Sequence, residues 1–184
     1  SEVLFRNNEN YRFFLAKYTQ HILPVADTFA WCLIPNHFHF LIRIKSEKAI
    51  ISHYAQSGKQ KPYDPEILSV FIMERFANFF NSYSKAYNKR YNRKGSLFID
   101  YMRRVEILDN RQLLATTFYI HKNPVHHGLT QEITEWKWSS FNSFLTESPT
   151  HLQRKTVLEW FGSKNEFEQF HLQPVNLKSA IIIE

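Results

Sequence analysis

Residues 31–44 read WCLIPNHFHFLIRI, two runs of bulky residues on either side of a Pro-Asn pair. β-branched and aromatic residues favour strands, and a Pro-Asn pair favours a tight turn. We therefore predict a central strand over Thr28–Ile34 and a second strand over His37–Ile44, joined by Pro35 and Asn36. Together the two runs predict a β-hairpin.

The second strand of this hairpin has two faces of different composition. Alternation places Phe38, Phe40, Ile42 and Ile44 on one face and His37, His39, Leu41 and Arg43 on the other. We expect the phenylalanines to point into the core. The two histidines, at positions i and i+2, can then reach one metal ion. In a chain with 9 histidines, an incidental pair is the alternative interpretation.

Apolar periodicity predicts helices before and after the hairpin. Residues at three- and four-residue spacings predict an amphipathic helix over Asn8–Gln20 and a long helix over Pro65–Tyr91. Two short helices are expected over Thr156–Phe161 and Lys164–His171. A shorter helix is predicted to begin near Asp109.

The helix that begins near Asp109 has recognisable ends. Gln112 stands three residues after Asp109, as in a capping box. Pro124 disfavours a helical residue before it, so we expect the helix to end around Asn123. Tyr119 and Asn123 are four residues apart and therefore share a helix face. A tyrosine can act as a covalent nucleophile, but Tyr119 can equally be one more aromatic in a chain that is 16% aromatic.

The remaining segments complete an α+β assignment. The polar stretch Lys45–Asp64 reads as a surface loop, because it carries Gly58 and Pro62 and is followed by Pro65. Ser96–Val105 reads as a further strand, and Ala180–Glu184 as an edge strand.

Composition narrows the class of protein. A chain of 184 residues, 43% hydrophobic, suffices for one domain with a real core. A single cysteine, Cys32, excludes an internal disulfide and cysteine-rich zinc sites, and favours a cytoplasmic location. No apolar run approaches the roughly 18 residues of a membrane span, and no glycine-rich phosphate loop is present.

The positive charge of the chain is concentrated in one window. Seven of the 23 Lys and Arg residues lie between Lys85 and Arg104, together with one acid, Asp100. The window thus carries as much excess charge as the whole chain, whose net charge is +6. Such a stripe is typical of a polyanion-binding surface, and a solvated helix face is the alternative.

Several motifs, in order, resemble the HUH single-tyrosine transposases, in particular the REP-associated tyrosine transposase group. Residues 31–44, WCLIPNHFHFLIRI, resemble the HUH segment, and residues 119–129, YIHKNPVHHGL, resemble the block that holds the family's tyrosine. Residues 79–98, FFNSYSKAYNKRYNRKGSLF, resemble its aromatic and basic helix and the turn that follows. Trp138-Ser139-Ser140 resembles a further landmark. The likeness extends to about residue 145.

This resemblance implies a fold and a site. The implied fold is a ferredoxin-like α+β domain over residues 1–145, with an antiparallel sheet and helices on one face. The tail has no clear counterpart in the family, and we expect it to form a C-terminal helical extension over 146–184. His37 and His39 become metal ligands, Asn123 a third ligand and Tyr119 the nucleophile. The implied cofactor is Mg²⁺ or Mn²⁺. The family's initial strand precedes the segment matching Glu2–Arg6, and this sequence does not include all of it.

The implied activity is cleavage and rejoining of single-stranded DNA near hairpins through a 5′-phosphotyrosine intermediate, with a homodimer as a further expectation. We expect phosphate contacts from six residues of the basic window: Lys89, Arg90, Arg93, Lys94, Arg103 and Arg104. Tyr87 and Tyr91 are expected on the core face, and His126 and His127 on the surface. The alternatives are a nucleic-acid-binding regulator that no longer cleaves and a hydrolase that uses water instead of Tyr119.

Overall fold

A computed structural model describes residues 2–58, 64–98 and 103–174. Within these ranges the fold is α+β, with one antiparallel hairpin and seven α-helices. The elements are α1 (Asn8–His21), β1 (Ala26–Ile34), β2 (His37–Ile44), α2 (Glu47–Gln56), α3 (Pro65–Arg90), α4 (Asn110–His126), a 3₁₀ turn (Ile133–Glu135), α5 (Phe141–Leu145), α6 (Arg154–Phe161) and α7 (Lys164–Leu172).

The chain packs into two compact units. The first unit comprises Ser1–Asp27 and Arg43–Tyr101, and the second comprises Thr28–Ile42 and Met102–Glu184, each over its described residues. The division into a domain over 1–145 and an extension over 146–184 stays a prediction.

The first unit is built on α1 and α3, whose predicted positions are confirmed. Asn7 caps α1 by accepting hydrogen bonds from the backbone of Glu9 and Asn10. Aromatic rings fill the contact between the two helices, and Phe14 lies 4.7 Å from Phe79 between ring centroids. The hydroxyl of Tyr83 donates to the carbonyl of Leu4, so the residues before α1 are tied to α3.

Helix α2 corrects the prediction of a loop over residues 45–64. Ile50 and Tyr54, four residues apart on α2, are buried against Leu68 and Phe71 of α3. The apolar pair faces one side of the helix and supplies the burial that makes this short helix stable. Polar neighbours on its other faces hid this pattern in the sequence. Residues 59–63 of the predicted loop lie outside the described ranges.

The predicted hairpin forms at the predicted place, and its residues Thr28–Ile42 belong to the second unit. Strand β1 is buried at most positions, as expected for a central strand. On the edge that does not face β2, the N–H of Leu33 donates to the carbonyl of Trp138 at 2.8 Å. The N–H of Ser140 donates to the carbonyl of Trp31 at 2.9 Å. The segment 138–140 thus satisfies backbone groups on the second edge of β1.

The buried position of β2 lies on its histidine face, and not on its phenylalanine face as predicted. Leu41, on the histidine face, is 6% exposed and belongs to a core cluster with Ile120 of α4. Phe38 and Phe40 are half-buried, and their rings pack against each other at 5.9 Å. Helix α4 therefore shares its core with the side of β2 that carries the histidines.

Helix α4 continues beyond its predicted end at Asn123. Pro124 lies inside the helix and is buried, and the N–H of His127 still donates to the carbonyl of Asn123 at 3.0 Å. Proline removes one backbone hydrogen bond, and the burial of the last turn offsets this loss. The predicted cap is confirmed, since Asp109 accepts from the backbone of Gln112 at 2.7 Å.

Helices α6 and α7 confirm the two short helices predicted near the C-terminus. Val157 of α6 and Phe167 of α7 are fully buried in the same cluster as Phe29 of β1 and Ile120 of α4. The second unit is therefore closed by residues that follow position 145.

The two further strands predicted from the sequence, Ser96–Val105 and Ala180–Glu184, are not found in the described part of the chain. The described residues at the ends of Ser96–Val105 form no strand, and residues 99–102 lie outside the described ranges, as does Ala180–Glu184. Within the described part of the chain, no helix is long and apolar enough to cross a membrane.

Acid should destabilise the second unit through His171 of α7. Burial lowers the pKa of His171 from 6.5 to about 4, so the folded chain keeps this imidazole neutral where the unfolded chain binds a proton. The free energy of unfolding should therefore fall as the pH drops from 6.5 towards 4, by about 2 kcal/mol at pH 5 from this residue alone. All four tryptophans belong to the second unit, so urea unfolding followed by tryptophan fluorescence measures this loss. The same pH dependence in His151→Gln, which changes an exposed histidine, is the control. A free energy that stays constant between pH 7 and pH 5 contradicts the prediction.

Candidate active site

The predicted histidine pair lies at the start of β2 in the second unit. The rings of His37 and His39 are 5.0 Å apart between centroids and nearly perpendicular. His37 Nδ1 lies 2.9 Å from Oδ1 of Asn36 in the hairpin turn, which fixes the orientation of that ring. The hairpin thus presents two imidazoles side by side.

Helix α4 brings the predicted tyrosine and asparagine to the same place. The ring of Tyr119 lies 5.4 Å from that of His39 between centroids. Asn123, one turn later, is fully buried, and its Nδ2 lies 3.3 Å from His39 Nε2. The structure therefore assembles all four predicted site residues, two on β2 and two on α4. Their chemical roles stay predictions.

The buried amide of Asn123 makes this cluster suitable for a cation. Its Oδ1 is buried and has no hydrogen-bond partner, which costs about 1–3 kcal/mol. Two imidazoles and an amide oxygen are donors that suit a divalent metal. Because Nδ2 and not Oδ1 of Asn123 faces His39 Nε2, the amide has to turn by about 180° for its oxygen to join the imidazoles. Within the described ranges, no three His, Cys, Asp or Glu side chains are grouped to hold a metal, so the fit depends on this amide.

The electrostatics of the cluster keep His39 neutral. Burial chiefly, together with the neighbouring imidazoles of His37 and His127, lowers its pKa from 6.5 to about 4. A metal ligand must offer a lone pair, which a protonated imidazole lacks. At neutral pH His39 is therefore in the form that binds a metal.

His127 lies on the surface, as predicted, and is also a neighbour of the site. It is exposed, yet its ring lies 4.9 Å from that of His37 between centroids. Tyr119, Asn123 and His127 follow one another at intervals of four residues along α4 and its C-cap. This spacing was the available signal, and the expected end of the helix before Pro124 concealed it.

Two of the six predicted phosphate-binding residues already have protein partners. The guanidinium of Arg93 pairs with the carboxylate of Glu2 and also donates to the carbonyls of Gly95 and Ser96. Arg90 forms an ion pair with Glu9. Because its donors are committed to the turn after α3, Arg93 has a structural role there.

The other four predicted phosphate contacts, Lys89, Lys94, Arg103 and Arg104, are exposed. Lys89 and Lys94 belong to the first unit, whereas Arg103 and Arg104 belong to the second. Tyr87 is buried on α3, as predicted. Its hydroxyl donates to the carbonyl of Val3.

Comparison with known proteins adds no family assignment. No protein-family model, no curated protein and no solved structure matches this chain.

Removal of the Asn123 amide should weaken metal binding without unfolding the chain. We expect Asn123→Ala to lower the affinity for Mn²⁺ or Co²⁺ roughly ten-fold or more, measured by calorimetry, and His39→Ala to abolish binding. Asn142→Ala is the matched control, because that asparagine is bonded to the carbonyl of Thr134. Equal affinities for wild type and Asn123→Ala would contradict the assignment of this amide as a ligand.

Arg93 should contribute to the stability of the fold, whereas Lys89 should contribute to the predicted DNA binding. We expect Arg93→Ala to lower the free energy of unfolding by about 1–3 kcal/mol, since it leaves Glu2 and two carbonyls without their donor. Lys89→Ala should leave stability unchanged and reduce the salt dependence of the predicted DNA binding by about one phosphate contact. Thermal unfolding and a salt titration of oligonucleotide binding measure the two effects. The reverse pattern would restore Arg93 as a DNA contact.

Proposed function

We propose that this protein is a metal-dependent single-strand DNA endonuclease and transposase of the HUH single-tyrosine type. The observation that carries the proposal is the convergence of Tyr119 and Asn123 of α4 on His39 of β2. A nucleophile, a buried amide and two imidazoles in one cluster match the chemical needs of phosphoryl transfer to tyrosine. The sequence motifs around these residues support the same activity.

The reaction we propose is a direct displacement at phosphorus. The phenol oxygen of Tyr119 loses its proton and attacks the scissile phosphate, forming a P–O bond to the tyrosine. The bond between phosphorus and the 3′-oxygen breaks, and that oxygen takes a proton and leaves as a free 3′-hydroxyl. A 5′-phosphotyrosine remains, and attack by another 3′-hydroxyl reverses the step without ATP.

The residues of the cluster divide the tasks of this reaction. His37, His39 and Asn123 would hold Mg²⁺ or Mn²⁺, which when bound acts as a Lewis acid on the phosphate and favours the phenolate. Their placement on a strand and a helix keeps the geometry rigid, as catalysis by orientation requires. Tyr119 shares a helix face with Asn123, so the nucleophile stands beside the ligand set.

The proposal includes the partner and the finer fold. The substrate is single-stranded DNA with hairpin ends, and Lys89, Lys94, Arg103 and Arg104 are candidates for contacts with its phosphates. These four exposed cations would provide the electrostatic attraction that non-specific strand binding needs.

We also propose that the hairpin and its helices form part of a ferredoxin-like domain.

A covalent-trapping assay tests the proposal. Wild type is incubated with labelled single-stranded oligonucleotides that contain hairpins, in Mn²⁺, Mg²⁺ or EDTA, and the products are separated on a denaturing gel. We expect a protein–DNA adduct that requires the metal and disappears in Tyr119→Phe. Tyr91→Phe, which removes a hydroxyl bonded to Asn10 in the first unit, is the matched control and should keep the adduct.

Two other outcomes identify the alternatives. DNA binding without an adduct or cleavage indicates a regulator that no longer cleaves. Cleavage that survives in Tyr119→Phe indicates a hydrolase that uses water. Either result rejects Tyr119 as the nucleophile.

A further inference from the structure

A second cluster of polar side chains is buried on the other side of α4. His121 of α4 and His171 of α7 are both fully buried, and His121 Nδ1 lies 2.9 Å from His171 Nε2. His121 Nε2 lies 2.8 Å from the hydroxyl of Ser140, which is also fully buried. His171 Nδ1 lies 2.8 Å from the carbonyl of Phe167 in its own helix. The reaction proposed above uses none of these groups.

The hydrogen bonds of this cluster have one consistent direction when both imidazoles are neutral. A carbonyl only accepts, so His171 Nδ1 carries the proton and its Nε2 accepts from His121 Nδ1–H. His121 Nε2 then accepts the hydroxyl proton of Ser140. The Ser140 oxygen in turn accepts the backbone N–H of Trp31 in β1 at 2.9 Å. We call this series of bonds, from Trp31 through Ser140, His121 and His171 to Phe167, the histidine relay.

The histidine relay and the candidate active site hold opposite faces of one helix. Successive residues of an α-helix are rotated by about 100°, so Tyr119 and Asn123 lie about 40° apart. His121 points roughly 160° away from both of them. Apolar packing alone tolerates small rotations of a helix, whereas directional hydrogen bonds from His121 to two different elements do not.

We propose that the histidine relay is a positioning device, through which α7 and the Ser140 segment set the rotation of α4 and thereby the place of Tyr119 and Asn123 beside His39. His121 and His171 touch neither substrate nor metal in this role. Phosphoryl transfer requires the attacking oxygen to stand within a fraction of an ångström of its productive place. Helix α7 then contributes to the geometry of the candidate active site. The consequence for cleavage rests on the function proposed above.

The test separates positioning from mere stability by a pair of variants. His171→Leu leaves the N–H of His121 buried without an acceptor, which should lower stability. The double variant His121→Phe, His171→Leu removes both imidazoles and leaves only the Ser140 hydroxyl, which can rotate, without its acceptor, so it should recover part of that stability. We expect the double variant to bind single-stranded DNA like wild type but to form the covalent adduct at a rate roughly ten- to hundred-fold lower in single turnover. His151→Leu, a change at an exposed histidine, is the control.

A second measurement decides the inference even if wild type forms no adduct and the proposed function fails. Nuclear Overhauser effects between the rings of Tyr119 and His39 report their 5.4 Å contact directly. They should be present in wild type and in His151→Leu and be weakened or lost in the folded double variant. If the double variant keeps these effects at wild-type strength, or recovers the wild-type cleavage rate together with its stability, the positioning role is wrong.

Discussion

The second unit depends on the need of β1 for hydrogen bonds along both edges. A strand that is buried along most of its length cannot leave its N–H and C=O groups unpaired, and β2 supplies partners on one edge only. The segment 138–140 supplies them on the other. This pairing fixes Ser140 beside α4, while the hairpin brings His37 and His39 to the opposite face of the same helix. Both polar clusters of the unit therefore follow from the pairing of one strand.

Local periodicity was sufficient to predict the elements that carry the site. The hairpin, α1, α3, α6 and α7 occupy the predicted positions, and the four-residue spacing of Tyr119 and Asn123 places them on one face of α4. What failed depended on contacts between segments distant in sequence. The strand alternation of β2 does not say which face meets α4, and Leu41 shows that it is the histidine face. Likewise, the charge of Arg93 gave no hint of its partner Glu2, which lies 91 residues away.

Burial gives the two histidine clusters of the second unit a common chemical state. His39, His121 and His171 all have lowered pKa values, chiefly because the surrounding protein disfavours a buried positive charge. A neutral imidazole has one donor and one acceptor, so it can hold a directional hydrogen bond on each side. The same neutrality that leaves a lone pair on His39 lets His121 and His171 link two elements. One physical effect would thus serve both the proposed metal binding at His39 and the proposed placement of α4.

The pairing of Trp31 with Ser140 spans 109 residues of sequence, and this separation has a consequence for synthesis on the ribosome. The hairpin emerges long before residues 138–140 exist, so the second edge of β1 stays open during translation. At about 5–20 residues per second, that interval lasts roughly 5–20 s. An open apolar strand edge is a site of association between chains. Nascent chains of this protein therefore expose the second edge of β1 until most of the polypeptide has been made, and this interval is when association between chains through that edge is favoured.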